Sequence, residues 1–243
     1  MIAGAFRTIG DPAVPGVVFA RGVANSQMLD EAEYARELAL LRDALAVARA
    51  IDEPLVYFSG SPIYGDFSRP VTETSPCVPV TRYGRHQVEC EELIRASQAS
   101  FLIVRLPNVV SARGNPHQLI ASLVSQVLGG RVNVRRAAAR DLLDVNDIVR
   151  LVQRLTALRV VDNTVNVASG LSTPVPVIVD HIIRILGAEP LVDEREGGEA
   201  QQFDISLLTK IVGPLPFNKL YPIKILEHYV PRIAASLADQ TEK

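Results

Sequence analysis

Short apolar runs that alternate with amphipathic helices constrain this chain more than any other feature of it. "GVVFAR" (16–21) is a β-branched run after a proline-rich turn and reads as a buried strand. "DEAEYARELALLRDALAVARA" (30–50) reads as a long helix, with Asp30 as N-cap, acids in its first turn and Ala, Leu and Val at helical spacing. "PLVYFS" (54–59) is a strand, "RYGRHQVECEELIRAS" (82–97) a helix and "FLIVRL" (101–106) a buried strand. Between the first of these strands and the second helix lies "GSPIYGDFSRPVTETSPCVPV" (60–80), a loop rich in Pro, Ser and Thr.

The alternation continues. A helix is expected near 115–128, then a basic segment "GGRVNVRRAAAR" (129–140), a short strand "DLLDV" and a helix over 145–158. "NTVNVAS" (163–169) is a further strand, and 174–187 a helix with proline in its first turn and Gly187 at its end. A mobile loop is expected over 194–204, a short helix capped by Asp204, a last helix over 219–237, and a frayed tail "LADQTEK". Strands separated by helices demand right-handed crossovers and a parallel sheet, the doubly wound α/β class. Such sheets bind ligands beyond the carboxyl ends of their strands, which places 20–26, 59–64 and 107–110 at the expected site.

Bulk properties exclude several function classes. The formal charge is −2 over 243 residues, so no global field draws the chain to nucleic acid or membrane. Arg131, Arg135, Arg136 and Arg140 cluster, but no aromatics interleave them as a nucleic-acid surface requires. No apolar run reaches membrane-spanning length, and no basic region precedes a long apolar run at the N-terminus. Two cysteines, Cys77 and Cys90, form neither a disulfide framework nor a zinc pattern, and a reducing cytoplasm is expected. His86, His117, His181 and His228 show no metal-ligand spacing, so no metal is expected.

The segments that carry chemistry are "LVYFSGSPIYG" (55–65), "RYGRHQVECEELI" (82–94), "VRLPNVVSARGNP" (104–116), "RDLLDVNDIVRLV" (140–152) and "VNVASGLSTPVPVIVDHI" (165–182). In this order they resemble the extended short-chain dehydrogenase/reductase family, the nucleotide-sugar epimerases and dehydratases. The resemblance runs from about residue 17 to 213. It implies a Rossmann-like core over 1–140, and over 141–243 a mixed region that includes a small C-terminal substrate-binding part. It also implies NAD or NADP as hydride carrier, a nucleotide sugar as substrate, and a homodimer seamed by helices 30–50 and 82–97. The reaction would be oxidation, reduction, epimerisation or dehydration at a sugar carbon.

Site residues follow from the same resemblance. Tyr83 matches the acid/base tyrosine, whose phenol the family's lysine lowers from about 10 toward working pH. Gln87 stands in the lysine's place, and Gly60 stands where a hydroxyl is usual. Ser59 and Ser61 flank that position and could supply the helper hydroxyl. Asn108 matches a substrate contact and Arg140 a diphosphate grip, while Gln201 and Gln202 replace arginines expected in the late loop. Ala20 and Pro107 end strands beside the cofactor, and Arg21 is placed to read a 2′-phosphate if 17–21 is instead the second strand.

The opening "MIAGAFRTIG", with Gly4, resembles the end of a glycine loop and the start of its helix. Either the first strand lies upstream or the chain lacks it together with part of the adenosine-binding half, and weak or unusual NAD(P) binding is expected. The alternative function is a non-catalytic member, a ligand sensor or the partner of an active homologue.

Overall fold

The computed structural model describes residues 16–20, 30–112 and 117–241. In chain order the elements are β1 (Val17–Phe19), α1 (Glu31–Ala50), β2 (Leu55–Gly60), a short 3-10 turn (Ser61–Ile63), α2 (Arg82–Ala96), β3 (Phe101–Leu106) and β4 (Asn108–Val110). There follow α3 (Leu119–Leu128), β5 (Arg131–Arg135), β6 (Ala139–Asp144), α4 (Val145–Ala157) and β7 (Asn163–Asn166). The last are β8 (Ser172–Pro174), α5 (Val175–Leu186), β9 (Leu191–Arg195), α6 (Ser206–Val212) and α7 (Tyr221–Thr241).

The main sheet has the order β1-β2-β3-β7 with every pair parallel, as the alternation requires. Its strands are apolar on both faces because helices cover both. Leu55, Tyr57 and Ile103 pack with Leu41 and Leu45 of α1 and Ile94 of α2. Their neighbours Val56, Leu102 and Val104 point the other way, onto Ile148 and Val152 of α4 and Leu208 of α6. Asp30 caps α1 by accepting from the Ala32 amide, and Asp144 caps α4 by accepting from Asn146. Gly187 ends α5 in the left-handed conformation at φ 59°. No helix among the described residues is long and apolar enough to cross a membrane.

Several expectations need correction. The basic segment 129–140 holds a strand that the sequence reading did not assign: β5 pairs in parallel with β9. Val132 and Val134 are buried while Arg131, Asn133 and Arg135 are exposed, a period of two that the run of arginines concealed. The expected loop 194–204 is partly ordered, since Glu194 and Arg195 belong to β9, and Ala200 and Phe203 make bridges to Ala139 and Val71. The final helix continues through the expected frayed tail to Thr241. Three short elements, β4, β8 and β9, escaped the sequence reading; β6 joins the first two, parallel to β4 and antiparallel to β8. Behind them α3, α5 and α7 share a separate core built on Ile120, Val124, Ile178, Ile182, Leu226 and Val230.

The arginine cluster is dispersed by this arrangement. Arg136 pairs with Glu194 and Glu196 at 2.7 and 2.9 Å, and Arg140 turns inward.

Candidate active site

A cleft of about 330 Å³ opens at the carboxyl ends of β1, β2 and β3. Two local features shape its floor. The 3-10 turn follows β2 directly, with Pro62 at its start. Gly84 then brings α2 against that turn: a Cβ there would lie 2.4 Å from the Pro62 carbonyl oxygen, so only glycine permits the approach. Thr81 caps α2 by accepting from the Gly84 amide, which fixes the helix start and Tyr83 with it.

The cleft gathers Ala20, Ser59, Ser61, Tyr83, Pro107 and Asn108, six residues singled out from sequence. Gly4 and Arg21 lie outside the described residues. Arg140 does not line the cleft. Its guanidinium donates to the carbonyls of Ala139 and Glu199, at 2.9 and 2.6 Å. Asn108 donates to the Asp141 carbonyl and to Gln201 Oε1, at 3.2 and 2.9 Å, so Gln201 of the late loop is tied to a cleft residue.

Tyr83 and Gln87 lie one helical turn apart, and Gln87 Nε2 donates to Tyr83 Oη at 3.0 Å. Burial pushes the Tyr83 phenol well above its ordinary range and the Glu37 carboxylate pushes it further, with Gln87 offsetting little. The electrostatics are therefore the reverse of an activated tyrosine: a neutral amide where a cation would stand, and an anion nearby. Gly60 leaves room for a side chain. Its φ is −152°, and a Cβ would meet Pro62 at 3.4 Å and the Gln87 amide atoms at 3.5 Å, ordinary contacts. The missing hydroxyl is thus a change of chemistry, not of space.

Glu37 and His86 were missed as cleft residues. The sequence placed position 86 away from position 87, yet both line the cleft because it wraps around the start of α2. Glu37 carried a readable signal, since it falls on the inward stripe Tyr34, Glu37, Leu41, Leu45, Ala48 of α1. An acid on such a stripe has a buried partner, and here it is His86 Nε2 at 3.1 Å.

Two buried networks hold the site in place. Arg105 grips Glu91 with two donors, at 3.1 and 2.7 Å, and also donates to Tyr64 Oη at 3.1 Å. Tyr64 Oη in turn donates to Asn166 at 2.5 Å, tying the turn after β2 to the end of β7. Burial raises the Glu91 carboxyl, but Arg105 overrides that and leaves it below its ordinary value. Asp141 accepts from the Ser169 amide and hydroxyl and the Gly170 amide, at 3.1, 2.7 and 2.8 Å, while burial pushes its carboxyl up to about 7.

Comparison with known proteins agrees with the geometry. The sequence profile of the NAD dependent epimerase/dehydratase family matches residues 13–168. A dTDP-glucose 4,6-dehydratase of Neisseria gonorrhoeae is 28% identical over 162 residues, 61% of this chain but only 45% of that protein. A dTDP-6-deoxy-L-talose 4-dehydrogenase (NAD(P)(+)) of Kitasatospora kifunensis is 26% identical over 216 residues, 79% of this chain and 67% of that one. RMD from Pseudomonas aeruginosa, solved with NADPH, superposes with a TM-score of 0.76 at 20% identity, over 95% of this chain and 86% of that one. The UDP-Glc/GlcNAc 4-epimerase of Campylobacter jejuni gives 0.75 at 16% identity, over 96% and 82%. The fold is that of these enzymes, and the chain belongs to the NAD dependent epimerase/dehydratase family.

Proposed function

We propose that this chain is a reductase-type member of its family, acting on a ketone of a nucleotide sugar. The observation that carries this reading is the Tyr83–Gln87 pair. An amide N–H donates to Tyr83 Oη, so the phenol's own proton stays free to be given away. With Glu37 near and no cation at position 87, the phenol stays protonated. Oxidation, and the dehydrations that begin with it, start from a tyrosinate; reduction starts from the phenol. Tyr83 therefore suits proton donation to the oxygen of a carbonyl that is being reduced.

NADH or NADPH, when bound, would supply the hydride to the carbonyl carbon. Among the described residues Ala20, Ser61 and Pro107 offer walls for its nicotinamide end. The neighbour from Pseudomonas aeruginosa was solved with NADPH, and one curated relative is a 4-dehydrogenase of a deoxysugar nucleotide. Asn108 and Gln201 would hold the sugar, and Ser61 is the hydroxyl available to orient its carbonyl oxygen. Ser59 is a second such hydroxyl: it lines the cleft and its buried oxygen has no hydrogen-bond partner among the described residues.

The test is consumption of NADH or NADPH absorbance in the presence of a 4-keto nucleotide sugar. Turnover that Tyr83→Phe abolishes supports the reading; turnover unaffected by that change removes Tyr83 from it. Gly60 and Gln87 favour a second reading, a non-catalytic binder. Calorimetric binding of the nucleotide sugar with no turnover in either direction would select it.

A further inference from the structure

Glu37, His86 and Cys90 form a cluster at the wall of the cleft; Glu37 and His86 line it, and the proposed reduction uses only the charge of Glu37. All three are buried, at 5%, 0% and 0% exposure. Their donor atoms lie within 4.8 Å of one another. His86 Nε2 is 3.1 Å from Glu37 Oε2 and 3.5 Å from Cys90 Sγ. A tetrahedral zinc ion bonds nitrogen and oxygen at about 2.0 Å and sulfur at about 2.3 Å, which sets N···O at about 3.3 Å and N···S at about 3.6 Å. The two distances from His86 Nε2 are thus those of a tetrahedral pair, and the Glu37 and Cys90 donors lie within 4.8 Å of each other, near enough to share the ion.

We propose that Glu37, His86 and Cys90 bind a zinc-like divalent cation at the edge of the cleft. His86 and Cys90 are one turn apart on α2, so one helix face presents both donors, and α1 brings the carboxylate across to them. Their surroundings suit ligation. His86 Nδ1 has no hydrogen-bond partner among the described residues, and the Glu89 carboxylate 3.7 Å away is the group a small shift would bring behind the imidazole. The Tyr34 ring packs against the imidazole at 4.5 Å between centroids and holds its plane. Glu37 and His86 both line the cleft, so water or a cleft ligand would complete the tetrahedron.

Charge balances on binding. A cation bound there takes the place of the Cys90 thiol proton, which leaves for solvent. Two positive charges then meet one carboxylate and one thiolate, and the buried cluster is neutral. Affinity should accordingly rise with pH. A carboxylate–imidazole–thiolate set suits zinc or cobalt far better than calcium or magnesium.

The experiment is titration of the chelator-treated full chain with cobalt under anaerobic conditions, followed by zinc. Expected is a thiolate-to-cobalt charge-transfer band, with the visible bands of a tetrahedral site, saturating at one equivalent and erased by zinc. Cys90→Ser should abolish the charge-transfer band, whereas Cys77→Ser, at the exposed second cysteine, should leave it intact. Glu37→Gln and His86→Gln should each weaken binding by more than about tenfold, the loss caused even by removing a ligand's outer partner. Absence of the band overturns the proposal, as does a band that survives Cys90→Ser and disappears in Cys77→Ser. If Cys90→Ser fails to fold, zinc-edge absorption of the unmodified protein decides. One sulfur at about 2.3 Å among nitrogen and oxygen neighbours supports the site, and a shell of nitrogen and oxygen alone refutes it. None of these readouts depends on turnover, so the result stands apart from the proposed reduction.

Discussion

Gln87→Lys tests the electrostatic reading of Tyr83 most directly. The amide nitrogen of Gln87 is 3.0 Å from Tyr83 Oη, so a lysine ammonium can reach within about 4 Å of the same oxygen. At an effective dielectric of about 20, two unit charges at that distance interact by about 4 kcal/mol, equivalent to about three pK units. The sign is fixed: a cation favours tyrosinate, so the phenol must fall from its raised position. Glu37 will draw part of the ammonium's field, and a drop of roughly two units is the working expectation. Carbon-13 NMR of Cζ-labelled tyrosine reads it, with Tyr83→Phe assigning the resonance. Unmodified protein should show Tyr83 still protonated where exposed tyrosines have ionised; Gln87→Lys should bring its midpoint down among them. Adding Gly60→Ser, for which the structure leaves ordinary contact distances, should restore the helper hydroxyl and raise oxidation of a nucleotide-sugar alcohol above background. A Tyr83 midpoint that does not move in Gln87→Lys would refute the argument that position 87 sets the state of the phenol.

Arg105→Met should cost less than the roughly 3–5 kcal/mol of a fully broken buried pair, because Arg95 still reaches the Glu91 carboxylate at 2.8 Å; Arg105→Met with Glu91→Leu should recover most of the loss in denaturant unfolding. Asp141 gives a pH signature. Its carboxyl is raised from 3.8 to about 7 in the fold, so its stabilising contribution is fully present below about pH 4 and is lost as pH rises through 7. Urea midpoints should fall across that window, and Asp141→Asn should flatten the slope. We also expect a homodimer seamed by α1 and α2. Light scattering would report twice the chain mass of 26.4 kDa, and a monomer at assay concentration would dismiss it.

The strands β1, β2, β3 and β7, their parallel sheet and its covering helices were legible in the sequence because each element depends on a local period, whereas the strand order came from the structure. A buried parallel strand is a short continuous apolar run, and a covering helix repeats its apolar face every three to four residues. The cleft was legible for the same reason, since the ends of those strands dictate where Ser59, Ser61, Pro107 and Asn108 emerge. The substitutions at positions 60 and 87 were visible as residue types, and the structure adds that Gly60 has room for a side chain and that Gln87 bonds the phenol.

What the sequence did not reveal depends on pairings between distant segments. Three strands and two helices lie between β5 and β9 along the chain, and neither is a convincing strand without the other's hydrogen bonds. Arg140 sits at the position the resemblance assigned to a substrate contact, but the Glu199 carbonyl reaches it first. Glu37 lies on a different helix from His86 and Cys90, so no spacing along the chain could join the three. Local periodicity is a property of neighbours and survives in the string of letters. The state of a phenol or the grouping of three ligands is set by charges and donors brought within a few ångströms, and only the packing of α1 against α2 and the sheet decides which those are.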